Sequence, residues 1–203
     1  MSTFEPWKGP KYAASNNRFG IKLLVVAESF YLTDANRDNP KYFALNLMKG
    51  VIEDKCTWLD PKSNRRKAWK TKFFKKLFYP LTGKRFDQVS DEEWSDVWNS
   101  IAYTVYVQTT KLSKPGEYAP GEDLALGPAN VLEAVQQLDP DKLLIVGIGV
   151  WGHFRRNRPA ALQKQEGKLL RPEIAFICHP ASRQWYKEQE KSRQTVQTLL
   201  KTP

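Results

Sequence analysis

The stretch "IKLLVVAES", residues 21–29, decides how this chain folds. A strand with one solvated face alternates apolar and polar side chains, whereas Leu23 through Ala27 are apolar without a break, so both faces need cover. Three more segments read the same way: "IAYTVYVQT" (101–109), "KLLIVGIG" (142–149) and "EIAFICH" (173–179). Helical signals separate them. Asn39 as N-cap with Pro40 in the first turn predicts a helix through about Ile52. Ser90 and Glu93 have capping-box spacing and start a helix ending near Asn99. After a Pro/Gly-rich loop (113–128), Pro128 opens a helix that stops at "LDPD" (138–141). A short basic helix follows the third strand, and "QWYKEQEKSRQTVQTLLK" (184–201) is the last. Together these predict an α/β fold, a three-layer αβα sandwich around a central four-stranded, mostly parallel sheet. No linker-like stretch interrupts the 203 residues, so one domain over 1–203 is expected.

Composition narrows the function classes. An apolar share of 41%, with seven tryptophans, is that of a folded globule. The longest apolar run, "LLIVGIGVW" (143–151), is far short of the ~20 residues that span a bilayer. The N-terminus "MSTFEPWKGP" lacks the features of a secretory signal, which predicts a cytoplasmic protein. Cys56 and Cys178 are too few for a disulfide framework, a four-thiolate zinc site or an iron–sulfur cluster. No metal, iron–sulfur cluster or other cofactor is expected, and the chain is expected to be a monomer.

The net charge of +10 is unevenly spread. From Pro61 to Phe86 the sequence carries ten Lys or Arg and no acid. Trp69, Phe73 and Leu77, with Phe74 and Phe78, fall at helical spacing, so the segment reads as a helix with an apolar stripe. Lys67, Lys70, Lys72, Lys75 and Lys76 share the remaining surface, which suits a polyphosphate backbone. DNA is the expected partner, and a nucleoid-associated location follows.

In parallel sheets, ligands bind at the carboxyl ends of the strands. Those ends carry Glu28 through Tyr31, Thr104 through Gln108, Gly147 through Trp151, and His179 through Ser182. Read in order, "AESFY" (27–31), "IAYTVYVQ" (101–108), "LLIVGIG" (143–149) and "HPASR" (179–183) resemble the motifs of the uracil-DNA glycosylase superfamily over roughly residues 21–185. The first stands where members carry Gly-Gln-Asp-Pro-Tyr or Gly-Glu-Ala-Pro-Gly, and the last where they carry His-Pro-Ser-Pro.

The resemblance implies a uracil-DNA-glycosylase-like fold and an enzyme that flips a nucleotide out of DNA and hydrolyses its N-glycosidic bond, leaving an abasic site. It assigns to His179 a hydrogen bond to the departing base, and to Arg183, with Gln184 or Trp185 as substitutes, the wedge that replaces the nucleotide. Tyr31 would wall the pocket, Tyr42 or Phe43 would stack on the base, and Ser182 would hold a flanking phosphate. The departures from the family pattern are equally specific. Ser29 stands where one branch has a water-activating Asp, which turns attention to Glu28, with Asp34 or Asp38 in reserve. Phe30 replaces the Pro of the first motif. Thr104 replaces the base-reading Asn and cannot make an amide's paired contact. These departures point away from uracil toward a modified pyrimidine, such as a hydroxymethylated or glucosylated cytosine. Bacterial members of the superfamily remove such bases from phage DNA as antiviral defence.

Other readings are ordinary uracil repair, a DNA-binding protein that kept the fold and lost the chemistry, and a dinucleotide enzyme. The last rests on Gly147, Gly149 and Gly152, in G-x-G-x-x-G spacing after a strand, with Glu166 as ribose-binding acid.

Overall fold

The computed structural model describes residues 4–29, 43–53, 58–60, 65–67, 72–109, 112, 119–162 and 172–202. The apolar runs become parallel strands: β2 (Leu23–Ser29), β5 (Ile101–Val107), β6 (Lys142–Val146) and β7 (Glu173–Ile177). Their neighbour order is β5-β2-β6-β7. Beyond β5 lies a fifth strand, β1 (Trp7–Lys8), paired antiparallel with Tyr103 and Ala102. The sheet is therefore five-stranded and mixed, which corrects the expected count of four. A two-residue strand has no periodicity to read; what fixes it is Trp7, buried against the core. A separate antiparallel hairpin joins β3 (Trp58–Asp60) to β4 (Arg65–Lys67).

Seven α-helices are described: α1 (Phe43–Glu53), α2 (Lys72–Thr82), α3 (Asp91–Asn99), α4 (Gly121–Ala125), α5 (Gly127–Leu138), α6 (Ile148–Arg156) and α7 (Trp185–Lys201). The expected helix from Asn39 appears as α1; its start lies outside the described residues. Ser90 caps α3 by accepting a hydrogen bond from the Glu93 N–H at 3.2 Å. The loop before α5 contains a helical turn, α4, that its Pro and Gly content concealed. The basic helix begins later than expected, because Lys67 is the last residue of β4, paired in register with Trp58.

Side-chain alternation sorts the core into two layers. Leu23, Val25, Ile101, Val105, Leu144 and Ile177 face α1, α2, α3 and α7. Leu24, Val26, Ala102, Tyr106, Leu143 and Ile145 face α5 and α6. Helices thus cover both faces, as the unbroken apolar strands require. Aromatic rings interlock in the first layer: Phe74 meets Trp98 edge-on, Phe78 stacks on Trp94, and the two indoles meet at 5.2 Å. The Trp94 Nε1–H donates to the Val51 carbonyl at 2.7 Å, tying α3 to α1. At the amino edge, the buried Lys142 ammonium donates to Glu173 Oε2 at 2.7 Å and to the Thr202 carbonyl at 2.8 Å, so β6, β7 and the end of α7 share one polar clamp.

In the second layer Gly127 lies against the Tyr106 ring, and a Cβ there would sit 2.2 Å from a ring carbon. Gly127→Ala should therefore destabilise the fold by about 1–3 kcal/mol, the usual cost of overpacking a filled core. A shift of the urea unfolding midpoint at constant slope checks this.

Candidate active site

Strand order locates the site. From β2 the chain moves to β5 on one side, and then to β6 and β7 on the other, so the connections diverge between β2 and β6. In open parallel sheets a crevice forms outside the carboxyl ends at such a switch point. Here the rim is set by Glu28 and Ser29 closing β2, Gly147 following β6, and His179 two residues beyond β7. Gly147 takes a φ of 126°, a backbone state open to glycine and strained for other residues. Its N–H donates to the Ile177 carbonyl at 2.9 Å, and a Cβ on it would meet the His179 ring at 3.9 Å. The middle of the rim is thus bare backbone, with chemistry on either side.

His179 is held by its own loop. The Ala181 N–H donates to its Nδ1 at 3.1 Å. An Nδ1 that accepts carries no proton, so the neutral ring bears its hydrogen on Nε2. Among the described residues Nε2–H has no partner. The Phe73 ring packs 5.2 Å from the imidazole, and burial lowers the His179 pKa below its usual 6.5. The Lys76 ammonium lowers it further. That ammonium donates to the Pro180 carbonyl at 2.8 Å and lies 4.9 Å over the Tyr186 ring, so α2 grips the histidine loop directly. The result is a neutral imidazole offering one N–H donor.

The rest of "HPASR" forms a tight turn into α7. The Ser182 N–H donates to the His179 carbonyl at 2.8 Å, and Ser182 Oγ accepts from the Gln184 N–H at 3.1 Å. The Ser182 hydroxyl is therefore a turn-forming acceptor that keeps its own proton available to donate. Arg183 and Gln184 are exposed at the tip. Trp185, named as a substitute wedge, is 2% exposed and belongs to the core; its indole is too deep to reach a ligand.

The other expected residues divide clearly. Glu28 is exposed, yet the chain around it crowds its carboxyl enough that desolvation raises the pKa. By alternation along β2, Ser29 shares the face of Leu23 and Val25, and Glu28 that of Leu24 and Val26. Thr104 is not brought to the rim. It is 1% exposed, three residues inside the end of β5, paired with Val26 on the α5–α6 face, whereas His179 turns toward Phe73 on α2. Phe30, Tyr31, Tyr42, Lys70, Asp34, Asp38 and Glu166 lie outside the described residues, as do the side chains of Phe43, Lys67 and Lys72. Of the five lysines, Lys75 sits 3.7 Å over the Phe86 ring and Lys76 is engaged as above. In the G-x-G-x-x-G run, a Cβ on Gly149 would meet open space, and on Gly152 it would make ordinary contact with Arg156. Neither glycine is required by a close approach of backbone.

Phe73 was not among the expected rim residues, and Lys76, expected to face phosphate, also grips the histidine loop. The signal for Phe73 and Lys76 is their spacing of three on α2, which puts both on the side facing the histidine loop. Among the described residues no group of three or more His, Cys, Asp or Glu side chains gathers. No protein-family model matches the chain, and no curated protein matches it.

Nitrogen-detected NMR should find His179 as the Nε2–H tautomer, titrating below 6.5. Lys76→Met should raise that pKa by removing the repelling charge. Because only the unfolded chain takes up this proton between the ordinary value and the lowered one, His179 should subtract stability as pH falls below about 6.5. A His179→Gln variant should lose that part of the acid sensitivity in urea titrations.

Proposed function

We propose that the protein is a DNA glycosylase that hydrolyses the N-glycosidic bond of a flipped-out, modified pyrimidine and leaves an abasic site. The observation that carries this reading is His179, a neutral imidazole beside the switch point whose Nε2–H has no partner among the described residues. A departing pyrimidine gathers negative charge on its ring oxygen as the bond to C1′ lengthens. A preorganised N–H donor in a partly dry site stabilises that charge, and one such donor is worth about 10²–10³ in rate. Neutrality matters, since a histidine held below its usual pKa donates a hydrogen bond across the neutral range without first losing a proton to the base.

Glu28 takes the water. Its strand and the strand of His179 flank β6, so their axes lie about 10 Å apart, with the bare backbone of Gly147 between. That gap accommodates a sugar. Desolvation makes the Glu28 carboxylate a better proton acceptor than a solvated one, so it draws a proton from the water that attacks C1′. Arg183 at the exposed tip fills the stack, and the Ser182 hydroxyl donates to a flanking phosphate. Thr104, buried on the other face, offers the base no amide pair, which favours a pyrimidine with a bulky 5-substituent over uracil.

The test compares alkali-labile sites formed on uracil-containing DNA and on hydroxymethylated or glucosylated phage DNA. Release from the modified DNA with little from uracil is expected; rapid uracil release alone would return the chain to ordinary repair. His179→Ala should lose at least about 100-fold in rate while DNA affinity and melting temperature change little. Glu28→Gln should lose activity, and Ser29→Ala should retain it. DNA binding without any base release would identify a binding protein on this fold.

A further inference from the structure

A second feature lies on the far side of the rim. Trp151, in the first turn of α6, stacks on Phe176 of β7 with ring centroids 4.8 Å apart and planes within 7°. β7 is the edge strand, and Phe176 remains 40% exposed despite this contact. Ile148, one turn before Trp151 on the same helix face, is 52% exposed. Large apolar groups this exposed and this close together mark a contact surface.

The charge around them identifies what kind. Residues 142–165 contain no acid. The Arg158 guanidinium lies 5.6 Å over the Trp151 ring and 5.5 Å over Phe154. Arg155, one turn beyond Trp151, and its neighbour Arg156 are exposed and form no ion pair with a described residue. A protein partner buries such a patch against apolar or acidic surface, whereas a flat ring flanked by exposed arginines matches a base and its phosphate. The rings can meet a base only if it is unpaired, because a duplex hides base faces inside its stack.

We infer that the Trp151–Phe176 stack is a landing platform for unpaired bases of single-stranded DNA, with Arg155 and Arg156 holding the phosphates. Phe176 is three residues from His179, at most about 10 Å of chain, so one bound strand spans both. The platform stands whether or not His179 acts on a base, so binding is measured in the His179→Ala background, where no cleavage intervenes.

Fluorescence anisotropy with labelled oligo(dT) reads the affinity, and heparin, a polyanion without bases, reads charge alone. Phe176→Ser should weaken oligo(dT) binding about tenfold and leave heparin binding unchanged. Phe176→Leu, which keeps apolar bulk without a π-face, should behave like the serine variant, and Phe176→Trp should bind like the parent. Arg155→Gln with Arg156→Gln should weaken both ligands. Unchanged oligo(dT) affinity in Phe176→Ser would overturn the proposal, and so would equal losses for oligo(dT) and heparin, or Phe176→Leu binding oligo(dT) like the parent.

Discussion

The fold depends on β2 being hydrogen-bonded along both edges. Leu23 through Val26 are fully buried, so no water reaches their backbone groups, and every N–H and C=O must find a partner strand. β5 supplies one ladder and β6 the other, both parallel. Parallel pairing forces each return across a face of the sheet, which is why helices cover both faces. It also brings the carboxyl ends of β2, β5, β6 and β7 to one edge. The divergence of connections between β2 and β6 then makes a switch point, the place where such sheets form a crevice. Burial of a five-residue apolar run thus leads, by hydrogen-bond satisfaction alone, to the place where His179 and Glu28 stand.

A parallel sheet brings strand ends together but does not orient their side chains. That task falls to α2, whose buried face packs on the sheet while its outer edge reaches the histidine loop. Phe73 walls the imidazole, and Lys76 donates to the Pro180 carbonyl while disfavouring the imidazolium beside it. α2 is fixed in turn by α7: Gln197 Nε2 donates to the carbonyls of Pro80 and Leu81, and the Tyr79 hydroxyl donates to Glu190. Both carbonyls lie in the last turn of α2, where the helix offers them no N–H of its own, and Gln197 supplies the missing donor. A lysine that the charge run suggests for phosphate therefore has an architectural use as well. Both its hydrogen bond and its charge act on the same five-residue turn.

Much of the fold was legible because burial writes itself into composition. The four parallel strands, the Ser90 cap, the Pro128 helix start and the carboxyl-edge position of His179 all follow from local patterns. What was not legible arises from contacts distant in sequence. β1 exists because Trp7 is buried beside a strand some ninety residues later, with its indole N–H on the Trp98 carbonyl. The depth of Thr104 depends on where β5 ends: the strand stops at Val107, and buried Gln108 turns its Oε1 to the Phe4 N–H, so the alternation alone could not say which residue reaches the rim. Trp185 reads as exposed beside a loop, yet the turn set by Ser182 directs it inward. The aromatic platform was hidden for the same reason, since Trp151 and Phe176 lie on different elements and meet through the pairing of β6 with β7.

The two faces of the sheet also distinguish the candidates for the water-holding role in the proposed reaction. Hydrolysis at C1′ expels the base from one side of the sugar while water arrives from the other. A group that stabilises the base and a group that activates the water must therefore flank the reacting carbon rather than share a side. His179 turns toward Phe73, on the face that Leu23, Val25 and, by alternation, Ser29 also present. Ser29 is thus on the side of the departing base, where a hydroxyl could only crowd it. By the same alternation Glu28 points to the opposite face, and the axes of β2 and β7 lie roughly 10 Å apart. In the proposed reaction the water therefore falls to Glu28, whose desolvated carboxyl has its pKa raised, rather than to Ser29.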